Sequence, residues 1–413
     1  GKGGTTSAPY SSGTNNVAMG YQSLLKFTTG GNNVSIGQSS QYESTTGNYN
    51  VAIGDAASYR NQTGVENTAI GREAMYGVNG NSHSYNVAVG SLSLYGITTG
   101  ESNVGIGVRA GLSITSGDHN IAIGRYAGDA ITTTAGTVSI GTSAFGGIST
   151  TGDYSIAIGY GAMGGAEIGD GNIAIGYQSM QNANAAGFHR NTAVGYQTMA
   201  NVGSNSADDN TALGYQALYS VTSGDDNVAI GSNALRLATT AGDNISIGHD
   251  SMAARTSGSN NIAIGPEALY TSKGSTYNIA IGSFSGYNVT TGGSGNVFLG
   301  YKAGYAVKTQ NQAMAIGYEA MGGNAGTQEG SGIAIGYRAM YEGKDGNSGT
   351  IVGNSAGQYL QGIGATYIGG SAGRFATGSY NTFIGDNAGR GPNSAPYGSG
   401  GYNTAVGYQA LDA

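Results

Sequence analysis

The sequence predicts an all-β protein, a parallel β-solenoid of about 23 coils of roughly 17 residues each. Two observations predict it. A five-residue unit recurs through nearly the whole chain, and inside that unit apolar residues alternate with small ones at period two. A helix would need apolar spacings of three and four, and its repeated glycines would weaken it by ~1 kcal/mol each.

The unit is Asn-Val-Ala-Ile-Gly in its commonest form and occurs 23 times. Its closing glycines include Gly20, Gly54, Gly124, Gly176, Gly231, Gly282 and Gly336. Thirteen of the 22 intervals between successive glycines are 17 residues; the others are 16, 18 or 19, with one of 22 between Gly385 and Gly407. Residues 15–413 therefore read as a single array. Residues 1–14 form an N-terminal extension or the entry to the first coil, and 386–403, with Pro392 and Pro396, form an irregular surface loop.

Each slot has its own chemistry. Asn opens the unit in 17 copies, among them Asn16, Asn120, Asn227 and Asn261. Stacked side-chain amides satisfy each other's donors and acceptors, so an Asn ladder running from coil to coil is expected. The residues two places later and just before the glycine are Ala, Ser or Gly (in 19 copies) and aliphatic, respectively. The expectation is that the aliphatic positions face inward and the small ones outward. Three residues past the glycine comes Ala, Ser or Thr in every copy, and the next slot alternates irregularly, in nearly all copies, between a bulky apolar residue and Gly. Thr-Thr-Gly stretches, as at 28–30, 98–100 and 290–292, read as turns whose glycine supplies φ > 0. A coil then holds two short strands and two turns. With coils about 4.8 Å apart, the array would make a rod on the order of 110 Å long.

A flat stripe of small residues on the outside would let another surface approach closely, and a thin core is commonly offset by oligomerisation. A lengthwise subunit interface is therefore expected, against the plainer reading of a neutral exposed face. Tyr follows the glycine in nine copies, including Tyr21, Tyr160, Tyr177, Tyr196, Tyr215, Tyr301, Tyr318 and Tyr337. Such a row stacks along the roll and closes its edge, or serves as an amphipathic contact for sugar or protein. The longer coils near 76–86 and 200–210, with the 386–403 loop, are the expected protruding contacts.

Composition narrows the function classes. Glycine accounts for 78 residues and charged residues for only 9%, with no cysteine and no tryptophan. Without cysteine there is no disulfide and no thiolate ligand or nucleophile. A net charge of −7 offers no footprint for nucleic acid. No apolar run is long enough to span a bilayer, and the first residues carry no signal-peptide h-region. The missing initiator Met points to a processed chain or an excised segment.

Asn227–Leu235 and Asn403–Leu411 resemble the head repeat of trimeric autotransporter adhesins, the YadA-like head, which also occurs in phage tail fibres. The resemblance covers roughly 15–413. It implies a left-handed parallel β-roll, a homotrimeric fibre, and an adhesive or spacer role outside the cell toward a host or target surface receptor, glycan or protein. The coil is longer than the usual adhesin head repeat, and no heptad stalk or anchor barrel is present.

Apparent catalytic motifs dissolve into the repeat. The two G-x-S-x-G matches, at 353–357 and 369–373, sit where sister copies carry Arg109, Tyr126 or Lys302, without the strand-turn-helix the elbow requires. His83, His119, His189 and His249 are scattered. Asp208-Asp209 and Asp225-Asp226 read as Asx-type turns, with calcium as the rival. The expectation is a non-enzymatic fibre segment with no cofactor and no metal; the alternatives are a monomeric ice-binding solenoid presenting Thr ladders, or a filament subunit polymerising end to end.

Overall fold

In the computed structural model the described residues are 12–80, 82–146, 152–165, 167–182, 184–185, 188–202, 207–323, 332–343, 348–392 and 400–412. They form two compact units, Gly1–Asp209 and Asn210–Ala413, with no helix among the described residues. Each unit is a parallel β-solenoid. The first contains eleven three-residue strands from Val17–Met19 to Thr192–Val194, and the second contains twelve from Thr211–Leu213 to Thr404–Val406. A small side sheet pairs Glu167–Ile168 with Asn184–Ala185.

Register is constant whatever the coil length. Val34 pairs with Val51, Thr68 with Val87 and Thr382 with Thr404, each at the same slot of its unit. Each coil carries one strand, not the two expected, because the residues after the glycine turn instead of extending. The second and fourth residues past the glycine both take left-handed φ, as in Gln22 (57°) and Leu24 (50°), and so does the residue before the Asn, as in Tyr49 (59°). Backbone pairing nevertheless continues round the coil. Leu24 N–H donates to Ser40 O at 3.1 Å, Lys26 N–H to Tyr42 O at 3.2 Å and Thr28 N–H to Thr45 O at 2.9 Å. These bonds satisfy backbone groups that a turn would otherwise leave to water.

The facing of the strand is the reverse of that expected. The central small residue is the buried one: Ala52, Ala69, Ala88, Ala229 and Ala280 are fully enclosed, while the aliphatic residues on either side are half-buried or exposed. The interior is filled by three other slots instead. Small residues such as Ala57 and Ala74, bulky ones such as Met75 and Leu94, and a third slot with Ile97, Ile114 and Ile131 are all buried, Leu94 and Ile114 both closing on Gly111. The narrow coil has no room for a second row of large side chains.

Where the strand centre is itself large, the bulky slot is emptied. Phe298 lies where a Cβ on Gly286 would come within 2.7 Å and one on Gly304 within 2.2 Å. Tyr367 and Phe383, stacked at 5.0 Å, stand in the same relation to Gly373 and Gly389. In these coils the glycine is volume compensation for a large strand centre.

The Asn ladder is present. Asn33, Asn50, Asn67, Asn86, Asn103 and Asn120 each donate from Nδ2 to Oδ1 of the Asn one coil earlier, at 2.9–3.3 Å. The same oxygen accepts the following Asn's backbone N–H, as from Asn120 to Asn103 at 2.9 Å. In the second unit the ladder runs from Asn210 through Asn227, Asn244, Asn261 and Asn278 to Asn296. At Thr137 the ladder ends on a substitute, whose hydroxyl donates to Asn120 Oδ1 at 2.6 Å.

Candidate interaction surface

The outward faces of the strands build the main surface feature. Their first and third residues are Val, Ile, Leu, Met or Thr in every strand of the solenoids, and none is charged. In-register pairing stacks them into two ladders in each unit, the third position aliphatic or Met throughout and the first mixed with Thr. Met19, Ile106, Leu213, Ile281 and Val406 are all more than a third exposed. β-Branched side chains suit this pleated surface, and no described residue encloses it. The expected small-residue stripe lies inside the coil and offers no interface.

The glycine closing the strand holds this surface together. Gly20, Gly54, Gly124, Gly176, Gly231, Gly282 and Gly336 take φ between 128° and 138°. A Cβ on any of them would lie 2.2–2.7 Å from the carbonyl oxygen of the next coil's glycine. The turn glycines Gly30 and Gly100 differ from expectation. They do not take positive φ, and are required because a Cβ would lie 2.4 and 2.5 Å from the next coil's backbone oxygen. Gly292 alone of the three quoted turns shows the left-handed φ, at 101°.

Tyrosines run beside the ladders. Those after the glycine are 37–71% exposed, and Tyr160–Tyr177–Tyr196 and Tyr301–Tyr318–Tyr337 stack coil on coil at 5.0–5.5 Å. A second set, missed in the sequence, lies five residues past the glycine: Tyr42–Tyr59–Tyr76–Tyr95 at 4.9–5.2 Å and Tyr270–Tyr287–Tyr305 at 5.2–5.4 Å. Its signal was a Tyr at a fixed offset, obscured because other coils put other residues there. Since each ring covers its neighbour's face, the rows present edges and hydroxyls outward. Lys302 and Arg338 lie over Tyr305 and Tyr341, and Arg338 Nε pairs with Glu319 at 2.7 Å.

The polar side chains are engaged in structure. Thr28, Thr98, Thr115 and Thr222 donate their hydroxyls to the next coil's backbone. Asp208 accepts the backbone N–H of His189 from one coil earlier, and Arg190 grips Asp209 at 2.7 Å through two nitrogens. That hydrogen bond holds the Asp209 carboxyl below its ordinary pKa. Ser355 donates to Asn354 at 3.0 Å. Among the described residues no cluster of three or more metal-ligating side chains occurs, and no helix is long and apolar enough to cross a membrane.

Among the described residues His83, Arg255 and Tyr367 are fully enclosed ionisable groups, and burial pushes the Tyr367 phenol up to about 12. His83 has neither ring nitrogen hydrogen-bonded, and burial pushes its pKa down to about 4. Arg255 occupies a slot that is Ile or Val in several other coils, such as Ile97, Ile114 and Val221. Burial lowers its pKa to about 10, and its head group is met by Ser272 Oγ at 3.0 Å and the Ser275 carbonyl.

Parts of the expected protruding contacts, residues 81, 203–206 and 393–399, lie outside the described residues, as do residues 1–11 of the N-terminal extension. Where the 386–403 loop departs, a cavity of about 220 Å³ opens beside Phe383 and Pro392. No family model matches the chain, and no curated protein matches it.

Proposed function

We propose that the chain is a non-enzymatic extracellular fibre segment that assembles lengthwise with copies of itself. One observation carries this reading: two uncharged, in-register ladders of mainly aliphatic residues run along the strands, half-buried to exposed. A monomer rarely leaves so regular an apolar surface in water, whereas a second copy of the same chain brings an equally uncharged, equally spaced partner. The number three, the left-handed roll and the role as shaft or host-surface binding element come from the likeness of the repeat to YadA-like adhesin heads and tail fibres. In such an assembly, weak contacts to a cell-surface glycan or protein would be repeated on each chain and gain by effective concentration.

Molar mass in solution tests the proposal directly. Light scattering should give three times the 41.2 kDa chain mass. A value of one chain mass at micromolar concentration would remove the reading, and the ice-binding alternative would then be assayed by thermal hysteresis.

A further inference from the structure

The chain has 29 tyrosines and neither cysteine nor tryptophan. A one-electron oxidant therefore meets no side chain more easily converted to a radical than a phenol. Methionine, the other oxidisable residue, is taken to its sulfoxide by oxygen transfer instead. The tyrosines are also placed in pairs. Strand register sets Tyr42, Tyr59, Tyr76 and Tyr95 one above another, with ring centroids 4.9, 5.0 and 5.2 Å apart and planes within 12° of parallel. The rings meet face to face on consecutive coils, and the backbones beneath them are hydrogen-bonded: Glu43 N–H donates to Tyr59 O and Arg60 N–H to Tyr76 O. Rotation about χ2, which is soft for tyrosine, brings an ortho carbon of one ring toward an ortho carbon of the next without moving either coil.

We propose that these tyrosine rows are sites of oxidative coupling, at which a haem peroxidase using hydrogen peroxide joins tyrosines of consecutive coils into dityrosine. The enzyme takes one electron and one proton from each of two neighbouring phenols, and one peroxide is reduced to two waters. The two phenoxyl radicals pair their electrons in a new carbon–carbon bond between ortho carbons. Each of those carbons then releases its hydrogen as a proton while each oxygen takes one up, restoring both phenols. Two ring C–H bonds are broken and one C–C bond is made. The product is a covalent staple between coils in a chain that has no cysteine to make one. The inference is independent of self-assembly, since both partners lie on one chain.

The test is to treat the full chain with a haem peroxidase and hydrogen peroxide, then map cross-linked peptides by mass spectrometry. The expected links are Tyr42–Tyr59, Tyr59–Tyr76 and Tyr76–Tyr95. Accessibility alone would choose differently: Tyr21, Tyr154 and Tyr277 are 71, 73 and 66% exposed, while the row tyrosines are half-buried. Links concentrated on those exposed residues, or no dityrosine, would overturn the proposal. Tyr59→Phe keeps the ring stack but removes its phenol. It should abolish two of the three links and leave Tyr76–Tyr95. Loss of all three would overturn pairwise coupling, as would links joining isotopically light to heavy chains in a mixture.

Discussion

Glycine at the end of each strand is fixed twice over, by conformation and by space. At Gly124 φ is 130°, and a Cβ would sit 2.7 Å from Gly141 O. Gly407 has a comparable φ of 127° with nothing within 4 Å. Backbone strain of this kind costs about 1–3 kcal/mol. Gly407→Ala should therefore lower stability by about that amount, and Gly124→Ala by clearly more, the difference in chemical denaturation reporting the clash. His83 supplies a pH dependence. Above pH 6.5 its ring is neutral in folded and unfolded chain alike. As pH falls toward 4 the unfolded chain binds a proton that the folded chain refuses, so stability is lost across that window and no further below it. The loss attributable to this residue is roughly 3 kcal/mol. His83→Leu should flatten the melting temperature between pH 6.5 and 4; an unchanged acid slope would assign it to other groups.

At the scale of the coil, the pattern of slots was legible and its facing was not. Asn at the strand start, with a donor and an acceptor on one amide, announced the ladder that Asn33 to Asn120 form. The alternation Val-Ala-Ile announced a strand. Hydrophobicity then argued for burying Val and Ile, and that argument assumed a core wide enough to hold them. Phe298, Tyr367 and Phe383 carried the contrary signal, since each large residue at the supposedly outward slot coincides with glycines at the bulky one. Their compensation can be measured. Phe298→Ala should cost about 3–5 kcal/mol by opening a cavity. Adding Gly304→Leu, which restores a bulky apolar side chain such as most other coils carry at this left-handed slot, should recover part of the loss. Equal stability of the single and double variants would show that the two positions do not share volume. The single strand per coil was hidden for another reason: left-handed φ at residues such as Gln22 and Leu24 follows from the stacking of neighbouring coils, and side chains of these types give no local sign of it.

For the molecule as a whole, the exposed ladders make stability and assembly separable. Ile106 and Ile281 are 38 and 40% exposed and lie on separate units. Their replacement by Asp should lower the thermal transition of the single chain only modestly, because neither side chain belongs to the enclosed interior. If copies meet along the ladders, the same double variant buries a charge in every contact and should shift the light-scattering mass to one chain. Variants that keep the wild-type mass would place self-association, where it occurs, on another face.

Constant register across unequal intervals has a consequence for heredity. Thr350 pairs with Thr366 after 16 residues and Val138 with Ile156 after 18, in the same alignment as coils of the common length. A gene of such near-duplicates invites unequal crossing-over. When the exchange joins equivalent slots of two coils, the product gains or loses whole coils, and every surviving strand still finds its neighbour. Copy number can therefore drift between generations as a quantity, while the fold of each coil is inherited unchanged.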